Sequence, residues 1–474
     1  MFKLFGHFNI LFFLFVTLSL HASFEDFKKS QSRAYTHFSD PRDNGFESYL
    51  QSQWEEYQAY ITPAMFTKPK PKQITPLVEK EPPKVGPAVL IELPKEFKKP
   101  KVLKEKVKKK KKTSYDINLD FYGLELGFSK DEKILSYRFS PRSQVGIGVF
   151  FAKLAKSNYA PVLQQIQNYK RAFLLNDWAV YLLVKKLSFA LYDSVEEARM
   201  YQWFILTKLG YDVKIALAAD DIYLLHYVAT TIYQQPRYQF SGKYYYIISD
   251  YDLQKVKKIY TYKGNYPKAR KALDFSLTQL PLLPQNRIVK ERTFSYEGKN
   301  YKITYSQNKN LLNFMGSYPQ VDYGIYFNAA MDKQTYNELA KQIKEYCDGK
   351  KMADALNFVL RFVQKAFLYK RDDLQFGKEK VMFADETLFF DASDCEDRAV
   401  LYAILVKRLF HFSVIGVKYS DHMSTALYIP LQGESVTYRG RRYVLADPTY
   451  INANIGHEIK RYQSVQPEQF IYLK

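Results

Sequence analysis

Ser393-Asp394-Cys395-Glu396-Asp397-Arg398 runs straight into Ala399-Val400-Leu401-Tyr402-Ala403-Ile404-Leu405-Val406. Polar and acidic residues followed by an apolar run mark a helix start, with the acids where the N-terminal dipole favours negative charge. A cysteine in that first turn has its thiolate stabilised by open backbone N–H groups and can serve as a nucleophile. The adjacent acids raise its pKa, so such a nucleophile requires a general base. Taken alone, the hexapeptide reads more readily as a buried, inert cysteine.

The chain beyond this helix reverses that reading. Of seven histidines, three lie after Cys395: His411, His422 and His457. Residues 412–419 read as a strand by their β-branched content, with a turn at Ser420-Asp421. His422 opens a second strand over 424–429, and after a hairpin region at 432–440 the chain returns through 442–448, which holds Asp447. Pairing these strands about the loop centre sets His422 opposite Asp447 to within roughly two residues, close enough for cross-strand contact. Cys395, His422 and Asp447 then supply a nucleophile, a base and an orienting carboxylate. His411 sits at the helix end, where capping suffices, and His457 falls in a polar loop. His422 is therefore the expected base.

These motifs resemble the transglutaminase-like superfamily, relatives of papain that keep the order Cys, His, Asp. The matching residues are Asp394-Cys395-Glu396-Asp397-Arg398, His422 before a small-residue strand, and Tyr443-Val444-Leu445-Ala446-Asp447-Pro448-Thr449-Tyr450, within residues 356–456. Arg361-Phe362-Val363-Gln364 and Gln375-Phe376-Gly377-Lys378-Glu379 resemble a bacterial envelope subgroup. The resemblance implies a thiol acyl-transfer site acting on a peptide or protein amide. Because bacterial members are more often regarded as peptidases or amidases, it implies those activities before protein cross-linking. A non-catalytic envelope scaffold that keeps the triad is the alternative.

The 474 residues allow two or three domains at ~100–200 residues each. Only Cys347 and Cys395 occur, with no Cys/His cluster of metal spacing, so no metal and no cofactor are expected. A disulfide between the two stays open for an oxidising compartment and would silence the nucleophile. Residues 1–23 read as a cleaved secretory signal, with Lys3, an apolar run at 10–16 and His21-Ala22-Ser23. The apolar run is shorter than the ~20 residues that span a bilayer, so a periplasmic or secreted protein is expected over a membrane-anchored one. Residues 24–66 carry spaced aromatics and suggest one or two helices, broken near Pro41, that pack on the body. Residues 67–112 read as a linker: from 68 onward they hold 16 Lys, 5 Glu and 8 Pro, and +11 of the formal +21. Such a stretch has no core to bury. Its charge suits an anionic envelope surface, and no nucleic-acid partner is expected.

Sliding the chain by 200 residues lays Val195-Glu196-Glu197 on Cys395-Glu396-Asp397, and residues 241–247 on the neighbourhood of 439–445. Residues 113–252 are thus expected to be a degenerate copy of the catalytic domain at 331–474, with valine for the nucleophile and Ile222 or Tyr223 near the histidine place. The catalytic copy carries an extra stretch at 370–393, a candidate active-site lip in which Gln375 could donate to an oxyanion, although ordinary capping suits it slightly better. Between the copies, residues 253–330 read as a β-rich module with a hairpin turning at Glu297-Gly298-Lys299-Asn300. The expected fold is α+β: two papain/transglutaminase-like copies with that module between them.

Overall fold

A computed structural model describes residues 40–59, 78–79, 84–93, 115–218, 221–248 and 258–474. The segment read as a signal lies outside them. Among the described residues no helix is long and apolar enough to cross a membrane. The chain is mixed α+β, built on two antiparallel sheets, each preceded by a long helix.

The helix Cys395–Phe410 leads into Ser413–Lys418, Met423–Tyr428, Ser435–Tyr438, Arg441–Ala446 and Gln469–Tyr472, which lie side by side in the order third, fourth, second, first, fifth. The helix Val195–Lys208 leads into Val213–Leu217, Ile222–Tyr227, Arg237–Phe240, Lys243–Ile247 and Lys258–Tyr262, which lie in that same order. All these pairings are antiparallel. In each sheet the third and fourth strands turn on a residue pair with positive φ, Ser241-Gly242 (48° and 76°) and Arg439-Gly440 (49° and 73°). Two left-handed residues in a row give the turn whose twist matches paired strands. Both sheets curl until their edges meet, Tyr438 packing on Phe470 at 5.3 Å and Tyr57 on Phe240 at 4.5 Å.

Three expectations change. Lys258–Tyr262 completes the first sheet, so the first unit runs past 252. The segment at 253–330 holds one two-stranded hairpin, Arg287–Tyr296 with Lys299–Asn308, turning at Glu297-Gly298. That hairpin is part of the second unit: Tyr296 donates to Asp354 at 2.9 Å, and Arg292 reaches Asp391 and the carbonyls of residues 388–390 at 2.7–3.2 Å. It therefore braces the stretch that delivers the chain to Cys395.

Residues 40–58 are structural; the rest of the stretch expected to be helical, 24–39 and 60–66, lies outside the described residues. Pro41 opens the helix Pro41–Ser52, where its missing N–H costs nothing. Trp54–Gln58 then adds an edge strand to the first sheet, a strand not foreseen in so polar a stretch. Phe46, Leu50 and Trp54 are buried, with Phe46 against Phe151 at 5.2 Å.

Part of the expected linker also docks. Val89 N–H donates to Lys350 O, Met352 N–H to Pro87 O and Ala353 N–H to Val85 O, at 2.9–3.1 Å, and both Val89 and Ile91 are buried. The Val-Gly-Pro-Ala-Val-Leu-Ile run is the apolar exception that an average over 45 residues hides. Ile91→Ala is therefore expected to cost about 2–4 kcal/mol, the range for truncating a buried aliphatic side chain. Urea denaturation measures it, and a loss within ~0.5 kcal/mol, as for a surface site, would return the segment to a solvated spacer.

Candidate active site

The helix Cys395–Phe410 starts where expected. Asp394 is its N-cap in extended conformation, and Asp394 N–H donates to Asp397 Oδ2 at 3.3 Å. Cys395 is the first helical residue and is 0 % exposed, as are Ala399 to Ala403 behind it. The helix is held from the side by Arg398, whose guanidinium donates to Ser393 Oγ (3.1 Å), Gln364 O (3.2 Å) and Phe367 O (2.8 Å).

The second strand pairs with the fourth through Thr425 opposite Ala446 and Ala426 opposite Leu445. Continuing that register sets Asp447 against Ser424, two residues from His422 and hence on the same side of the pleat. The two side chains meet: His422 Nε2 lies 2.7 Å from Asp447 Oδ2, with both residues buried. Asp447 Oδ1 accepts the N–H groups of Thr449 (2.8 Å) and Tyr450 (3.1 Å), and Gln364 Nε2 donates to Asp447 O at 2.9 Å. With the carboxylate accepting at Nε2, that nitrogen carries the proton and Nδ1 keeps a lone pair. Nδ1 is buried and makes no hydrogen bond. Tyr462 stacks on the imidazole at 5.2 Å and 10°, held through its hydroxyl to Asp421 at 2.7 Å.

The nucleophile is brought to the same place. The backbone N–H of Met423, next in the chain after His422, comes near enough to the Cys395 sulfur to favour its thiolate slightly. The sulfur's own proton goes elsewhere: Cys395 Sγ donates to Glu396 Oε2 at 3.1 Å. Burial, then the charges of Glu396 and Asp394, push the thiol well above its usual range, and the Met423 N–H pulls weakly the other way. Asp372, Asp394 and Glu396 bring one oxygen each within 4.8 Å of one another, all three buried. Burial in that company also raises Asp397, while desolvation brings the Arg398 guanidinium down to about 10. A carboxylate cluster alone does not mark a metal site, and the thiol chemistry needs none.

The other candidates take lesser places. Gln375 Nε2 donates to Ala392 O, three residues before Cys395, at 3.2 Å, so one of its two N–H groups is taken up by the backbone there. His411 is the helix C-cap at φ 58°, and His457 lies near Asn454 O at 3.2 Å. Cys347 and Cys395 are both free and buried, so no disulfide silences the site. In the first unit, Val195 stands at the first helical position as Cys395 does, 46 % exposed. The residue before its second strand is Asp221, one earlier than the Ile222 or Tyr223 expected, and it pairs with Arg199. The residue after its fourth strand is Ile248. Neither a thiol, an imidazole nor a carboxylate stands in its proper place there.

Sequence reading missed the residues that support the triad. Gln364 was visible only as part of Arg361-Phe362-Val363-Gln364, and its contact with Asp447 O spans 83 residues. Tyr462 lies in a loop with no motif, and nothing in the sequence points to its ring on His422. No family model, curated protein or solved structure matches the chain.

Proposed function

We propose that this protein is an exported, thiol-dependent acyl-transfer enzyme of transglutaminase-like architecture, acting as a cysteine peptidase or amidase on a peptide or protein amide. One observation carries the reading: His422 is fixed by Asp447 through Nε2 at 2.7 Å, leaving a buried, unbonded Nδ1, and the residue next to it, Met423, has its N–H near the Cys395 sulfur. An imidazole with one nitrogen oriented by a carboxylate and the other open is a general base awaiting a proton. The shared strand order of the two units supports reading the first as a degenerate copy of the same fold.

In this mechanism Nδ1 takes the proton from Sγ as the sulfur bonds to the amide carbonyl carbon. The imidazolium then protonates the departing amine as the C–N bond breaks, leaving a thioester. Water, deprotonated by Nδ1, attacks the thioester and restores the thiol. An amine in place of water would give transfer. Asp447 stays ionised and stabilises the imidazolium that forms. Cys395 and His422 are both 0 % exposed, so substrate entry requires the cover to open.

That closed state also favours the second reading, a non-catalytic envelope scaffold with a retained triad. Mass spectrometry of envelope peptides and murein fragments incubated with the protein separates the two. New amide-cleavage or transfer products from wild type and none from Cys395→Ala support the enzyme. Identical product profiles from the two proteins support the scaffold.

A further inference from the structure

We propose that Glu396 is the positioning residue that sets the resting state of the nucleophile: its carboxylate accepts the Cys395 S–H and keeps the sulfur protonated and off His422 in the closed site. The proposal deepens the acyl-transfer reading and rests on it for the role of His422. The geometry is direct. Sγ donates to Glu396 Oε2 at 3.1 Å, both residues are 0 % exposed, and the imidazole nitrogen that should receive the proton has no hydrogen bond.

The surroundings favour the protonated form. Asp394 at the N-cap and Arg398 on the helix lie within electrostatic range of the sulfur, as do Tyr369 from the segment before it and Tyr323 from the helix Tyr323–Phe327. Asp372 adds a carboxylate beside Glu396. From the sheet side come His422, whose neighbour Met423 has its N–H near the sulfur, and Tyr462. Among these groups Arg398 carries the fixed positive charge, and its N–H groups are directed at Ser393 Oγ and two carbonyls instead of the sulfur. A thiolate formed here would lie against a buried carboxylate, and two like charges cannot both persist at that distance without water. Moving the proton from Sγ to Nδ1 creates a thiolate–imidazolium pair with no change in net charge. It also requires the S–H to leave Glu396 first. A neutral amide at 396 removes the opposing charge and keeps the shape.

The test is a pH titration of protein labelled with ¹³C at the cysteine Cβ, which reads thiol against thiolate without needing access to the sulfur. Cys347, the other cysteine, is buried and hydrogen-bonded to Ala355 O at 3.6 Å, so its resonance reports that the fold is intact. Wild type should keep Cys395 in the thiol form through pH 9, above the ~8.5 of a free cysteine. Glu396→Gln should lower its midpoint by at least one pH unit with the Cys347 resonance unmoved. Superimposable Cys395 profiles for the two proteins would overturn the proposal. So would a wild-type midpoint below pH 8, which decides the matter even where Glu396→Gln fails to fold. His422→Ala in each background separates this inference from the acyl-transfer reading. A downward shift for Glu396→Gln that persists without His422 upholds Glu396 even where the base assignment falls. A His422-dependent thiol that ignores Glu396→Gln overturns the inference alone.

Discussion

Replacing His422 with alanine is expected to reduce turnover by at least ~10³-fold on a substrate whose processing requires Cys395, the scale for losing the base of such a triad. The thiol is held well above its usual pKa by burial and by Glu396 and Asp394, so the thiolate at neutral pH is scarce without a partner to take the proton. Cys395→Ala should remove turnover altogether. Asp447→Asn should lose as much or less, because the carboxylate acts through the imidazole: an amide can offer Nε2 an N–H, turning the ring's proton to Nδ1 and spoiling the base. None of the three should unfold the protein, and near-ultraviolet circular dichroism checks this. Wild-type turnover in His422→Ala would remove His422 from the mechanism.

Arg398→Ala is expected to be the most destabilising single change near the site, by about 3–5 kcal/mol, the cost of deleting one partner from a buried charged arrangement. Its guanidinium is fully buried and makes three hydrogen bonds, two of them to the carbonyls of Gln364 and Phe367. Its removal strands those carbonyls and takes the cation away from the buried carboxylates of Asp394 and Asp397. Guanidinium denaturation measures the loss. A cost under ~1 kcal/mol, as for an exposed ion pair, would mean that the carboxylates are neutralised in another way.

The parts of this site legible in the sequence are those fixed by local pattern and chain order. The hexapeptide 393–398 announced the helix start with Cys395 in its first turn, because capping is a local matter; the cap itself is Asp394. The His422–Asp447 contact was readable from hairpin register, because side chains two apart on paired strands share a face. The common strand order of the two sheets was hinted at by the Gly turns at 242 and 440, which need left-handed backbone at equivalent places. Contacts between distant segments were not legible. Residues 84–93 dock although their neighbours are lysines and prolines, since an average over composition conceals ten residues that bury Val89 and Ile91. The hairpin Arg287–Tyr296 and Lys299–Asn308 was recognised as a hairpin, but its alternation reveals only that one face is buried, not that helices of the second unit cover it. For Gln375 the sequence could not show that one of its amide N–H groups binds Ala392 O, a contact between segments 17 residues apart.

The central claim, a thiol activated by His422, is tested most directly by the rate at which iodoacetamide alkylates Cys395 at pH 7. Peptide mapping distinguishes Cys395 from Cys347, and the buried Cys347 serves as the reference for global unfolding. Cys395 should label well before Cys347 in wild type, and at least tenfold more slowly in His422→Ala. Equal Cys395 rates in the two proteins, or labelling of both cysteines together, would contradict it.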